Sequence, residues 1–273
     1  MALQALPERV ARLGKPLGTA VDGTRAALRW KGGGRAAGHT VGAVALLLPE
    51  AEPPGTRRPA PLAALPARPL AGRLARAGRA EGLVAHVLHY RRRGWNGAAL
   101  DPPRDAAWAL EEIVRRYGDV PVCLVGIGVG GRAALHAAGH PAVTSVVSLA
   151  PWLPAPPPHG PATEPADPVK QLIGRQVLLV HGTNDARTDP ELSYRYAERA
   201  KKTNRDICRF EVHSDGHALH QHRSEVHALT TDFLLGSLFT HTYSRPVADA
   251  LAAPPPLGLR MPLAAGFGET LGK

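Results

Sequence analysis

Residues 122–131, Val-Cys-Leu-Val-Gly-Ile-Gly-Val-Gly-Gly, constrain the fold more than any other stretch of this chain. An apolar run of strand length leads into a glycine-rich segment, and the Arg-Ala-Ala-Leu that follows is typical of a helix. Glycine tolerates positive φ and allows two backbones to approach closely. The run therefore predicts a buried strand that turns sharply into a helix, a unit typical of α/β domains.

The rest of the chain repeats this alternation of apolar runs and helical patterns from about residue 25 to residue 238. Near-continuous apolar runs are typical of strands that are buried on both faces. We therefore predict an α/β domain with a mostly parallel sheet and helices on both of its faces. Asp followed by Pro at 101–102 and at 189–190 marks two helix starts. The predicted strands are 41–48, 83–90, 120–127, 143–149, 176–180 and 207–212.

The predicted organisation has three parts: an N-terminal extension at 1–24, the α/β domain at 25–238 and a Pro-rich, extended C-terminal arm at 239–273. Proline density at 151–168 excludes an ordinary helix, so we expect a stiff rim over the pocket and no large helical lid. In the basic region at 50–93, residues 50–69 should form a surface loop, and the helix after it carries Arg73, Arg76 and Arg79 on one face. That face is either solvated or a basic groove, and the role of the region stays open. The same holds for the role of the arm.

Composition limits the partners. The chain carries a formal charge of +10 but is rich in Ala, Gly, Pro and Arg throughout, which favours a compositional bias over a nucleic-acid-binding face. No apolar run approaches the length of a membrane span, and the first residues lack the pattern of a secretion signal. Cys123 and Cys208 lie inside predicted strands and are expected to be free thiols. We expect a cytoplasmic protein with no membrane partner and no nucleic-acid partner.

Three motifs at predicted strand ends resemble those of α/β-hydrolases of the serine esterase, lipase and peptidase type. They are the glycine-rich turn with its helix at 126–136, the sequence His-Gly-Thr-Asn-Asp at 181–185, and Asp-Gly-His at 215–217. Their order along the chain also matches that of the family. The resemblance implies the α/β-hydrolase fold over roughly residues 25–238. It places Gly128 at the position of the serine nucleophile, Asp185 at that of the triad acid and His217 at that of the general base.

The resemblance also indicates where an oxyanion would bind. One donor would be the backbone N–H of Val129, and the second would come from the loop after the first buried strand, through Glu50 or Ala51. That loop departs from the His-Gly or Gly-Gly common in the family, since it begins Pro-Glu-Ala at 49–51. A Glu50 carboxylate would place negative charge near the oxyanion.

Other residues offer poor substitutes for the missing nucleophile. Ser145 and Ser148 belong to another predicted strand, and Cys123 precedes the turn and is expected to pack as a small apolar residue. Glycine at 128 leaves room for a water molecule that His217 and Asp185 could activate. The histidines at 213–227 fit no standard zinc spacing, and the glycine runs lack the Lys-Ser/Thr ending of a phosphate loop. We therefore predict no metal and no cofactor.

Three hypotheses for function follow. The first is a hydrolase relative with a degenerate triad, a pseudoenzyme whose ester or amide hydrolysis is reduced or absent. The second is a non-catalytic binding or sensor protein that uses the pocket for a small hydrophobic ligand. The third is an enzyme that uses His217 and Asp185 without a covalent intermediate. All three have a small-molecule substrate or ligand as partner.

Overall fold

The computed structural model describes residues 11–18, 21–22, 39–52, 55–60, 62–155 and 166–269. Its main feature is an eight-stranded sheet with the order β1-β5-β4-β6-β7-β8-β9-β10. All neighbouring strands are parallel except β1, which pairs antiparallel with β5 at one edge. The remaining strands, β2 and β3, pair with each other. The strands are β1 (Arg12–Leu13), β2 (Val21–Asp22), β3 (His39–Thr40), β4 (Ala43–Leu48), β5 (Leu83–His89), β6 (Val122–Ile127), β7 (Val143–Leu149), β8 (Gln176–Gly182), β9 (Ile207–Val212) and β10 (Met261–Pro262).

Helices cover both faces of the sheet, which confirms the predicted fold class. One apolar layer packs α2, α3 and α4 against one face, and a second packs α1, α5 and α6 against the other. Side chains of β4 alternate between them, with Leu46 in the first layer and Leu47 in the second. The helices are α1 (Arg68–Ala77), α2 (Asp101–Tyr117), α3 (Val129–Ala137), α4 (Pro190–Lys201), α5 (Arg223–Phe239) and α6 (Arg245–Ala252).

Helix starts differ from the sequence expectations at two places. Asp189 caps α4 as predicted, because its carboxylate accepts a hydrogen bond from the Glu191 N–H. Asp101 does not cap α2; it is the first helical residue, and Leu100 precedes it in a left-handed conformation. The helix expected from about residue 218 begins only at Arg223, because the preceding residues form a loop that the candidate site uses.

Both ends of the described chain join the sheet. Residues 12–13, predicted to lie in an extension, form the edge strand β1. The segment predicted as an extended C-terminal arm instead forms α6 and β10, with Val247 and Leu259 fully buried. That prediction of an extended conformation was wrong, since apolar residues spaced through this Pro-rich stretch pack on β9 and α4.

The segment between β7 and β8 and the lengths of the helices complete the description of the fold. Between β7 and β8, the described residues hold only a short 3-10 helix, Lys170–Leu172. Residues 156–165 of the predicted rim lie outside the described residues, as do residues 1–10. In the part of the chain that the structure describes, no helix is both long and apolar enough to cross a membrane.

Candidate active site

The turn between β6 and α3 has the sharp geometry that the glycine pattern predicts. Gly128 adopts φ 54° and ψ −117°, a conformation that side-chain-bearing residues rarely adopt. The flanking glycines allow the helix to begin close to the sheet. A Cβ on Gly126 would overlap the Gly130 carbonyl, and a Cβ on Gly130 would overlap the carbonyl of Leu48 at the end of β4. The turn therefore lies directly against the loop that follows β4.

His217 and Asp185 come together beside this turn. Asp185 follows β8 and His217 follows β9, and parallel neighbouring strands bring these loops to the same edge of the sheet. The His217 Nδ1 lies 2.7 Å from Asp185 Oδ2. The Asp185 carboxylate is fully buried, whereas the His217 side chain remains about one tenth exposed. This is the acid–histidine geometry of a catalytic triad.

Four donors surround the Asp185 carboxylate. Its Oδ1 accepts the backbone N–H groups of Arg187 and Thr188 at 2.8 and 3.0 Å, and its Oδ2 faces His217 Nδ1 and, at 3.0 Å, His181 Nε2. Burial alone would raise the pKa of Asp185, but these hydrogen bonds hold it well below its ordinary value. Asp185 is therefore a stable anion that fixes the His217 ring.

A second carboxylate, Asp215, shapes the loop that carries His217. Asp215 is buried and accepts the backbone N–H groups of Gly216 and His222, at 2.9 and 3.0 Å. Its own carbonyl accepts the N–H of Asn184 at 2.9 Å, which ties the histidine loop to the acid loop. The bond to His222 falls within the segment from about residue 218 that was expected to be helical, and holds it in a loop.

The carboxylate of Glu50 occupies the centre of the site. A Cβ built on Gly128 would overlap all three atoms of this carboxylate group, so the carboxylate fills the volume of a nucleophilic side chain. Glu50 Oε2 lies 3.0 Å from His217 Nε2, the nitrogen that would activate a serine. The water expected above Gly128 has no room there in this conformation.

The same carboxylate also occupies the predicted oxyanion site. The backbone N–H groups of Val129 and Ala51 both donate to Glu50 Oε1, at 3.2 and 3.1 Å. Glu50 and Ala51 were both considered for the second oxyanion donor, and the amide that points at the predicted oxyanion site is that of Ala51. Glu50 instead contributes its carboxylate, which accepts the hydrogen bonds from both amides.

His217 lies between two carboxylates. Burial would lower its pKa, but the hydrogen bonds to Glu50 and Asp185 outweigh that effect and raise the pKa above 6.5. Since each ring nitrogen faces a carboxylate oxygen, both nitrogens are placed to act as donors, and the imidazolium form satisfies both contacts. The arrangement is a Glu–His–Asp ion network at the positions that the sequence resemblance assigned to a Ser–His–Asp triad.

A cavity of about 300 Å³ opens beside these groups. Glu50 and His217 line it, and α1, α5 and the ends of β6 and β7 supply apolar walls. Exposed Arg187 and Arg223 also line it. A larger cavity of about 470 Å³, at the β1–β5 edge of the sheet, shares no lining residue with it.

The other candidate nucleophiles lie away from this cavity. Ser145 and Ser148 are buried in β7, and Ser145 Oγ accepts a hydrogen bond from Ser237. Cys123 is a buried free thiol in β6 whose pKa is raised by burial to about 12. Cys208 is likewise free and buried. Among the described residues, no three His, Cys, Asp or Glu side chains are grouped as metal ligands.

Five of the predicted site residues lie together in the structure, around the Glu50 carboxylate and the His217 ring. They are Gly128, Val129, Ala51, Asp185 and His217. Sequence reasoning missed two contacts. The first is the contact between the Glu50 carboxylate and His217. One signal for it was present in the sequence: Glu50 lies in the loop that faces Gly128, where no side chain fills the space. The second is His181, whose Nδ1 lies 2.9 Å from Ser193 Oγ while its Nε2 faces Asp185. The only signal for it was its place four residues before Asp185 at the end of a strand.

Comparison with known proteins finds likeness in structure alone. No family model matches the chain, and no curated protein sequence matches it. An esterase from Pyrococcus furiosus superimposes with a TM-score of 0.56 at 14% identity, over 73% of this chain and 83% of that one. A thermophilic esterase from Thermogutta terrifontis with propionate bound gives 0.56 at 16% identity, over 85% and 92% of the two chains.

A third solved structure is an α/β serine hydrolase without a lid from Xanthomonas campestris. It gives a TM-score of 0.51 at 15% identity and covers 88% of this chain and 100% of its own length. At such identities the likeness establishes architecture and not chemistry. The sheet order, the strand-end loops and these comparisons lead to one conclusion: this chain has the α/β-hydrolase fold.

Proposed function

We propose that this chain is a pseudoenzyme that binds a small molecule in the pocket beside Gly128 and does not hydrolyse esters or amides through a serine acyl-enzyme. The observation that carries the proposal is the position of the Glu50 carboxylate. It lies in the volume of the nucleophile, on the oxyanion donors and on the base nitrogen of His217.

Hydrolysis by a serine nucleophile requires three conditions, and this arrangement meets none of them. A hydroxyl must be bonded to the histidine, the histidine must be free to accept its proton, and the oxyanion donors must be open to the substrate. Here Gly128 has no side chain, and His217 Nε2 and both amides are bonded to Glu50.

Glu50 is also poorly placed to attack a substrate itself. A carboxylate nucleophile would generate an oxyanion on the substrate carbonyl, which needs preorganised donors. The amides of Val129 and Ala51 are the donors at this point, and they hold the attacking group instead. Binding without turnover is the function that this geometry supports best. The Thermogutta terrifontis esterase, with its bound propionate, is consistent with a pocket of this fold that holds a small molecule.

The test compares turnover and covalent labelling in four versions of the full chain: wild type, Gly128→Ser, Gly128→Ser with Glu50→Ala, and Gly128→Ala with Glu50→Ala. The substrate is p-nitrophenyl octanoate, and the covalent probe is a fluorophosphonate. We expect no labelling of the wild type. Because access to one oxyanion donor is worth about 10²–10³ in rate, the Gly128→Ser, Glu50→Ala protein should exceed Gly128→Ser alone by at least about tenfold.

The Gly128→Ala, Glu50→Ala protein is the matched control, since it opens the same site but carries no hydroxyl. Ester turnover by the wild type that is lost in His217→Ala would contradict the proposal and favour an enzyme without a covalent intermediate. Equal activity of Gly128→Ser with and without Glu50→Ala would show that Glu50 does not obstruct the site.

A further inference from the structure

We infer that the pocket beside Gly128 binds monocarboxylates with an apolar tail, and that Glu50 is a built-in competitor which such a ligand displaces. The inference rests on the proposed function and specifies the ligand class of that same site. Its starting point is that the site already holds a carboxylate, supplied by the chain itself.

The donors around Glu50 match the two oxygens of a carboxylate. Two amide N–H groups meet one oxygen and His217 Nε2 meets the other, all between 3.0 and 3.2 Å. One amide, that of Val129, lies at the N-terminus of α3, where the helix dipole favours negative charge. The imidazole between two carboxylates adds a charged donor, which makes the bond to an anion stronger than one to a neutral group.

Glu50 holds this position loosely compared with Asp185. Its side chain is about one third exposed, whereas that of Asp185 is fully buried. Apart from His217, its polar contacts among the described residues are the two amides, one of which belongs to the neighbouring residue Ala51. The carboxylate can therefore move to solvent without breaking the packing of the core.

The adjoining cavity selects for an apolar tail. Its volume of about 300 Å³ lies at the lower end of the range for small-molecule sites. A ligand that fills it gains burial of apolar surface, which Glu50 cannot gain because its side chain ends at the donors. The walls are formed by Leu70, Ile127, Leu149, Leu219 and Val226.

The charges around the cavity favour an anion over a cation or a neutral ligand. Arg187 and Arg223 line it, and Glu50 is the sole acidic side chain among its described lining residues. Once a ligand displaces Glu50, the donors and the rim together present positive charge. A carboxylate with an apolar chain satisfies both parts of the site.

The experiment measures binding of sodium octanoate and of octanamide, its neutral analogue, by calorimetry to the folded full chain. The proteins are wild type, Glu50→Ala, Glu50→Gln, and Glu111→Ala as a control for loss of an exposed acid far from the site. We expect Glu50→Ala to bind octanoate at least tenfold more tightly than wild type. Octanamide affinity should change less than threefold, and Glu111→Ala should behave as wild type.

A second pair of variants tests the donor side. In the Glu50→Ala background, His217→Gln should weaken octanoate binding at least tenfold and leave octanamide binding within threefold. Glu50→Gln, which keeps the size of the side chain, should give an intermediate gain and so covers the case in which Glu50→Ala does not fold.

Three results would overturn the inference. They are no octanoate binding in any folded Glu50 variant, equal gains in affinity for octanoate and octanamide, or octanoate affinity that His217→Gln does not lower. Turnover of p-nitrophenyl octanoate is measured on the same samples. Wild-type turnover would contradict the proposed function, while the octanoate affinities would still decide the ligand class.

Discussion

Two residues define the chemistry of this site: a glycine where a nucleophile would stand and a glutamate whose carboxylate fills the gap. His217 is affected by Glu50, because its Nε2 faces a negatively charged carboxylate. The two carboxylates raise the pKa of His217, and the protonated ring cannot accept a proton as a general base. The electrostatics of the site thus depend on the Glu50 carboxylate at His217 Nε2.

The raised pKa of His217 predicts a pH dependence with a definite sign. A histidine whose pKa is higher in the folded state stabilises the fold fully below its unfolded pKa, near 6.5, and loses that contribution as the pH rises through the folded pKa. Glu50→Gln should lower the pKa of His217 and reduce the loss of stability above pH 6.5. NMR titration of the ring and urea unfolding across this pH range measure the two effects.

The Glu111→Gln protein is the control for removing one negative charge. If the pKa of His217 falls as far in Glu111→Gln as in Glu50→Gln, the change comes from net charge and not from the contact between Glu50 and His217 Nε2.

At the residue scale, the sequence predicted positions better than contacts. Gly128, Asp185 and His217 could be placed because strand-end motifs in a parallel sheet converge at one edge. The direction of the Glu50 side chain could not, since it depends on the distance between two loops that are far apart in the chain. That distance is set by the packing of Gly130 against the end of β4.

At the scale of elements, the unit β6–turn–α3 depends on close approach of helix and strand. Gly130→Ala would place a methyl group on the carbonyls of Leu48 and Pro49, which are backbone atoms that cannot turn away. Overpacking of this kind costs typically ~1–3 kcal/mol. We expect a loss of that order in the free energy of unfolding, measured by urea denaturation, together with a shift of the Glu50 loop.

Gly72 in α1 provides the matched control. A Cβ there meets no heavy atom within 4 Å, and Ala is favoured over Gly inside a helix by ~0.5–1 kcal/mol. Gly72→Ala should therefore stabilise the protein. A similar loss in both variants would mean that the close approach of α3 to β4 is not what requires Gly130.

The predicted elements differed from the structure where side chains compete with helix formation. The pattern of apolar residues predicts a helix from about 218, but the Asp215 carboxylate binds the N–H groups of Gly216 and His222 and so favours a loop. A local polar competitor of this kind leaves the apolar spacing unchanged, and periodicity cannot detect it.

For the molecule as a whole, the C-terminal segment is an integral part of the fold. Lys201 in α4 donates to the carbonyls of Ala250 and Leu251 in α6, and the buried Arg209 of β9 donates to Leu259. Arg209 Nε also donates to Ser193 Oγ, which contacts His181 beside Asp185. The segment predicted as a separate arm is therefore bonded to the same network that supports the site.

Substitution in this segment should lower the stability of the entire domain. Val247 is fully buried, so Val247→Ala removes two methyl groups from the core, at ~0.8 kcal/mol for each buried carbon plus a cavity cost. We expect a loss of about 2 kcal/mol in one cooperative unfolding transition. Leu257→Ala, at a side chain that is two-thirds exposed, should change the stability by less than ~0.5 kcal/mol.

Two separate transitions in Val247→Ala, with one of wild-type midpoint, would instead show that the segment unfolds on its own. Circular dichroism and tryptophan fluorescence, followed on the same urea series, distinguish these outcomes.

The overlap between the Glu50 carboxylate and the place of a side chain at 128 has a consequence for engineering this site. A change of Gly128 to serine alone meets an occupied site, and a change of Glu50 alone leaves a site without a nucleophile. Neither substitution by itself gives an accessible hydroxyl beside His217, so introducing a serine nucleophile requires both changes together. The two positions are therefore coupled, and the effect of a substitution at either one depends on the residue at the other.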